Sequence, residues 1–119
     1  MAPLTPDLLA LVARRFRMLG EPIRLRMLQC LESGPLSVNE LAEKLQSTQS
    51  NISRHLSAMH GAGLLDRRRE GNSTFYSVGD PLVVQLCELV CNSAREQTQQ
   101  LAERLGVEVG SAKPGRRRP

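Results

Sequence analysis

The chain has 119 residues, 16 Lys and Arg against 12 Asp and Glu, and a formal charge of +4. That length fits one domain, and no apolar run approaches a membrane span. Aromatic residues make up 3% and Trp is absent, so the core must come from Leu, Val, Ile, Met and Ala, which suits packed helices. Three Cys, an odd number, argue against a disulfide framework. Arg14 and Arg15 follow the first apolar stretch instead of preceding it, the wrong order for a secretory signal. A cytoplasmic protein is therefore expected. Lys113, Arg116, Arg117 and Arg118 sit in the tail; 16 basic residues less these four leaves twelve, against 12 acidic ones. Overall charge therefore says little about partners, and local clustering matters more.

Thr5-Pro6-Asp7 is an N-cap, an N1 proline and an acid at the positive end of a helix dipole. Helical spacing then predicts a helix over 6–18, stopped by Gly20. The segment "EPIRLRMLQCLESG" restarts a helix at Glu21 and Pro22, with Ile23, Met27, Cys30 and Leu31 on one face and Gly34-Pro35 as the stop. In "SVNELAEKLQ", Ser37 and Glu40 form a capping box ahead of Leu41, Ala42 and Leu45. After a break at 46–48, Thr48 caps a helix to about His60, whose inward positions are Ile52, Leu56 and Met59. Gly61 and Gly63 are read as its end. The period then changes: 65–69 and 74–78 read as two strands joined through Gly71-Asn72-Ser73. Asp80-Pro81 repeats the cap-plus-proline signature and opens a long helix to about Leu105, with a near-heptad apolar stripe that includes Cys87 and Cys91. One domain over 1–105 and a basic, disordered tail over 106–119 are expected.

The pair of helices at 37–45 and 48–60 reads as a helix-turn-helix. Its second helix presents Gln49, Ser50, Asn51, Ser53 and Arg54 near its start, where such motifs meet base edges and phosphates. His55 is read as a packing or phosphate-contact residue on the same helix. His55 and His60 are five apart and do not share a chelating face. Arg67, Arg68 and Arg69 follow on the first strand of the hairpin, with Arg67 and Arg69 on one face and Arg68 on the other. A basic hairpin beside a recognition helix suits contact with double-stranded DNA. No phosphate loop or nucleophile–base arrangement is present, so an enzyme is not expected.

The run from Leu19 to Val78, and above all "SRHLSAMHGAGLL" followed by "RRREGNSTFYSV", resembles the ArsR/SmtB family of winged helix-turn-helix repressors. The resemblance implies a mainly α fold with a β-hairpin wing, a homodimer joined by the first and last helices, and operator DNA released by an inducer, often a metal or metalloid. The family's thiol site on the first helix of the motif is replaced here by Ser37 and Asn39. Its zinc site on the last helix finds matches in Asp80 and Glu96, but Leu82 and Ser93 stand at the His positions. Half a site does not satisfy tetrahedral zinc.

Cys87 and Cys91, four residues apart, lie on one helical face. Two thiolates one turn apart can chelate a soft ion such as As(III), Sb(III) or Cd(II), with Cys30 or a second subunit as the source of a third sulfur. Buried thiols that pack as small hydrophobes are the competing reading of the same pair, and the more natural one for Cys30. Control by thiol oxidation or another signal is the alternative to an ion, and a protein-interaction module the alternative to DNA binding.

Overall fold

The computed structural model describes residues 1–106. The basic tail expected from 106 onward therefore lies, beyond its first residue, outside the described residues. The elements run α1 (Pro6–Leu19), α2 (Pro22–Leu31), β1 (Leu36–Ser37), α3 (Val38–Leu45), α4 (Gln49–Gly61), β2 (Leu65–Glu70), β3 (Ser73–Val78) and α5 (Pro81–Leu105). The chain divides into two compact units, Met1–Gln85 and Leu86 onward.

In the first unit, Met27, Leu28 and Leu31 of α2, Leu41 and Leu45 of α3, and Ile52, Leu56 and Met59 of α4 are buried, joined by Leu64, Leu65 and Tyr76. The spacing of these residues on each helix is what turns one stripe inward. Of the inward face expected on α2, Met27 and Leu31 are buried, whereas Ile23 and Cys30 are only half-buried.

Helix starts follow local chemistry. The Thr5 hydroxyl accepts from Leu8 N–H at 3.2 Å, and Pro6 takes a position whose N–H has no helical partner. At α3 the capping box closes in both directions: Glu40 N–H donates to Ser37 Oγ at 3.1 Å, and Ser37 N–H donates to Glu40 Oε1 at 2.8 Å. Thr48 Oγ1 accepts from Asn51 N–H at 3.1 Å to start α4.

Helix ends and the hairpin differ from expectation in detail. Gly61 remains helical, and the chain turns instead at Ala62 and at Gly63, whose φ is +81°. Between α3 and α4 the reversal is made by Gln46 at φ 51°, a left-handed conformation in a residue with a side chain. The hairpin turn is one residue shorter than expected: Glu70 pairs with Ser73, leaving Gly71-Asn72 as a two-residue turn. Gly71, at φ +61°, supplies the positive φ that such a turn requires. The sheet also has a third strand with no clear sequence signal. Leu36 and Ser37 pair antiparallel with Tyr76 and Phe75, giving the order β1-β3-β2. That pairing ties the entry of the helix-turn-helix to the wing.

The second unit is the long helix from Leu86. Leu89, Val90, Leu101 and Leu105 on it are exposed. No helix among the described residues is long and apolar enough to cross a membrane.

Candidate nucleic-acid interface

Burial of Ile52, Leu56 and Met59 fixes which way α4 faces. Gln49, Ser50, Arg54 and Ser57 are left exposed and Ser53 half-buried. Between this polar face and the wing lie two open depressions. One, about 420 Å³, is lined by Ser37 and Asn39, by Gln49, Ser50 and Ser53, and by Asn72 of the turn with Ser73 and Thr74 of β3. The other, about 530 Å³, is lined by Ser53 and Ser57, by Arg67 and Arg69, and by Tyr76. Val38, Ser53 and Thr74 border both, so the two depressions form one groove. Its walls are rich in hydroxyl and amide groups, with two guanidinium groups at one end.

The strand register decides which arginines reach this groove. Arg67 pairs with Tyr76 and Arg69 with Thr74, and these four residues border the groove. Arg68 pairs with Phe75 on the opposite face. Its Cζ lies 5.7 Å from the Phe75 ring centroid, and its Nε lies 3.0 Å from Glu70 Oε2. Among the described residues neither Arg67 nor Arg69 has a carboxylate partner; Arg69 Nε makes only a long bond, 3.4 Å, to Gly71 O. The structure thus brings Arg67 and Arg69 to α4 and holds Arg68 away from it.

On α4, Asn51 is already engaged on both sides. Its Nδ2 donates to Ser47 Oγ at 3.0 Å, and its Oδ1 accepts from Arg54 Nη2 at 2.6 Å. Arg54 is therefore braced along the helix surface through Asn51.

Of the two roles expected for His55, packing and phosphate contact, its burial favours packing and takes it out of the DNA-facing set. It is 6% exposed and points into the fold, where Nδ1 accepts from Arg24 Nε at 3.0 Å. Burial first, then the Arg24 and Arg54 guanidinium charges, push its pKa down, and the Glu21 carboxylate opposes them. His60, at the end of α4, packs edge-on against Tyr76 with ring centroids 6.4 Å apart.

Sequence reasoning passed over Arg24. The signal was present: Arg24, Met27, Leu28 and Leu31 follow at intervals that put a cation in an inward helical stripe. Ser37, read as a cap and as a replaced thiol position, and Asn72, read as a turn residue, also line the groove.

All three cysteines are free; Cys30 and Cys87 are half-buried and Cys91 is exposed. Burial, and then the neighbouring Cys91, push the Cys87 thiol pKa up, which favours the protonated form over a ligating thiolate. Among the described residues no group of three or more His, Cys, Asp or Glu is placed to hold a metal. Asp80, one of the two matches to the family's zinc site, is occupied otherwise. Its Oδ1 accepts from Leu82 N–H at 3.1 Å, and its Oδ2 lies 3.1 Å from Arg15 Nη1.

Comparison with known proteins places this geometry. Residues 21–67 match the profile of the bacterial regulatory protein, arsR family. The chain is 38% identical over 84 residues to the HTH-type transcriptional regulator KmtR of Mycobacterium tuberculosis, a match covering 71% of this chain and 65% of KmtR. It is 40% identical over 77 residues to a probable mercury resistance operon repressor of Streptomyces lividans, covering 65% of this chain and 62% of that protein. The chain thus spans less than two thirds of either of these relatives. With the HTH-type transcriptional regulator NmtR of Mycobacterium tuberculosis it shares 39% identity over 87 residues, covering 73% of this chain and 72% of NmtR.

Among solved structures, a homodimeric winged helix-turn-helix DNA-binding domain from Mycobacterium bovis, a possible ArsR-family regulator, superposes with a TM-score of 0.70 at 31% identity. That match covers 81% of this chain and 92% of the domain. The AntR antimony-specific transcriptional repressor gives a TM-score of 0.72 at 29% identity, covering 83% of this chain and 90% of AntR. The fold is accordingly a winged helix-turn-helix, and the chain belongs to the arsR family of bacterial regulatory proteins.

Proposed function

We propose that this protein is a dimeric transcriptional repressor that docks α4 in the major groove of a DNA operator and is released by an inducer. The observation that carries the reading is the groove between α4 and the wing. It combines the polar face from Gln49 to Ser57 with Arg67 and Arg69, which have no carboxylate partner among the described residues. Arg54, exposed and braced by Asn51, is the group with the reach and fork geometry to read a guanine edge. Arg67 and Arg69 supply the phosphate contacts that fix register without reading sequence. Such a protein works where the DNA is, in the cytoplasm.

Dimerisation is supported by apolar side chains that the single chain leaves uncovered: Leu8, Leu11 and Phe16 on α1, and Leu89, Val90 and Leu105 on α5. The homodimeric neighbour from Mycobacterium bovis supports the same assembly.

For the inducer, Cys87 and Cys91 are the donor set the chain offers to a soft ion such as As(III), Sb(III) or Cd(II). One helical turn separates their Cβ atoms by roughly 5–6 Å, a span that two sulfurs can close around one ion. A third sulfur would come from outside this pair. Two similar proteins, the probable mercury resistance operon repressor and the antimony-specific repressor AntR, support that class of signal.

The test is fluorescence anisotropy on a duplex that the wild-type protein selects from a random-sequence pool, with sedimentation to give the oligomeric state. Wild type is expected to bind as a dimer and Arg54→Ala to bind weakly while remaining folded. If no duplex is selected even at low salt, the DNA reading falls and a protein-interaction module takes its place.

A further inference from the structure

Arg24 joins three separate parts of the fold. Its Nη1 donates to Met18 O at 3.2 Å and approaches Met18 Sδ at 2.8 Å, gripping the end of α1. Its Nε lies 2.9 Å from Glu21 Oε2 at the start of α2 and 3.0 Å from His55 Nδ1 on α4. The Arg24 side chain is 14% exposed and that of His55 only 7%, so water offers neither a ready substitute partner.

The Nε–H is donated to the imidazole nitrogen, and the Glu21 carboxylate stands beside it as an ion-pair partner. His55 Nδ1 can accept only when it carries no proton, which places the ring proton on Nε2. Glu21 Oε2 lies 3.6 Å from the same Nδ1. Protonation of Nδ1 would turn it from an acceptor of Arg24 into a donor toward Glu21, with two cations left facing each other. The charged groups acting on His55 are Arg24 and Glu21 from the α2 side and Arg54 from its own helix.

We propose that Arg24 and His55 are positioning residues: their hydrogen bond fixes the pose of α4 against the end of α1, and operator affinity depends on His55 remaining neutral. The inference rests on the proposed DNA-binding reading and adds a control point to it. His55 stands next to Arg54, the proposed base-reading residue, so a change in the ring's partner acts one residue from the reading surface. It also gives a physical link between α1, which carries exposed apolar side chains, and the recognition helix. Burial and both arginines hold the His55 pKa below its ordinary value of 6.5, which keeps the bond intact at neutral pH.

Two substitutions separate positioning from simple packing. In His55→Asn, Oδ1 stands near the place of Nδ1, so an acceptor is kept and titration is removed. His55→Leu fills the space and offers no acceptor. Anisotropy is measured at constant ionic strength between about pH 8 and pH 5.5, on the duplex selected by the wild-type protein, with unfolding curves for each variant. His60→Gln serves as the control for the other histidine.

Wild type and His60→Gln are expected to lose affinity as the pH falls, by about tenfold, the worth of one charge-assisted hydrogen bond. His55→Asn is expected to bind as wild type does at high pH and to stay level in acid. His55→Leu is expected to be weak throughout while still folded. A level wild-type profile, or an acid loss in His55→Asn equal to that of wild type, overturns the proposal. If wild type selects no duplex, the DNA-binding reading and this inference fall together; if it binds well and the variants match it at every pH, this inference alone falls.

Discussion

Arg68 and Phe75 face each other across β2 and β3, with the guanidinium carbon 5.7 Å from the ring centroid and the same guanidinium paired to Glu70. The ring and the carboxylate together occupy Arg68 on the side of the wing away from α4. Three consecutive arginines therefore divide into two that border the groove and one that stiffens the hairpin.

A difference between the three follows for DNA binding. Arg67→Ala and Arg69→Ala should each weaken binding and reduce the slope of log K against log salt concentration by about 0.9 per lost phosphate contact. Arg68→Ala should leave that slope nearly unchanged. Salt titrations of the three variants on one duplex check this, and equal slopes for all three would contradict the assigned faces.

Replacement of Arg54 tests the reading surface. A bidentate arginine–guanine pair discriminates by about 1–3 kcal/mol, so Arg54→Ala should lose roughly that much specific affinity with little change in non-specific binding. Asn51→Ala, which removes the brace at Oδ1, should lose part of it. Competition between the selected duplex and random DNA gives both quantities.

The start of α3 is held by a capping box, and α4 is seated by a residue with no exposed surface. Ser37→Ala should cost about 1 kcal/mol of stability. Ile52→Ala should cost about 2–5 kcal/mol, because Ile52 is 0% exposed and its removal leaves a cavity. Urea unfolding compares the two, and a smaller loss at Ile52 than at Ser37 would contradict the packing described.

Stability should also depend on pH through His55. Its folded pKa lies below the ordinary 6.5, so the unfolded chain takes up the proton first as the pH falls. Stability from this group is present above about pH 6.5 and is lost progressively below it. Unfolding free energies near pH 7.5 and pH 5.5 should differ more in wild type than in His55→Asn.

The thiol pair gives a separate prediction. As(III) added to the protein–DNA complex should release wild type and leave the Cys87→Ser, Cys91→Ser double variant bound. Equal release would remove these cysteines from the inducer site. Release by mild peroxide, reversed by reductant and absent in the double variant, would favour oxidation as the signal instead.

Much of the architecture was legible in the sequence because local chemistry determines it. Thr5-Pro6, the Ser37–Glu40 box, Thr48 and the spacing of Ile52, Leu56 and Met59 each act within one or two helical turns. The alternation of Arg67, Arg68 and Arg69 was equally readable, since strand geometry sends neighbours to opposite faces. Two other features depended on partners distant in sequence. Leu36 and Ser37 form a strand only because Tyr76 and Phe75 offer an edge. His55 shares the inward stripe of Ile52, Leu56 and Met59, but its hydrogen-bond partner, Arg24, comes from α2, 31 residues earlier. The sequence by itself determined the helix-turn-helix, the wing and the face that α4 presents. Tertiary structure decided which polar side chains on those elements are left for DNA and which are spent inside the fold, because only folding sets the donors and acceptors of separate elements against one another.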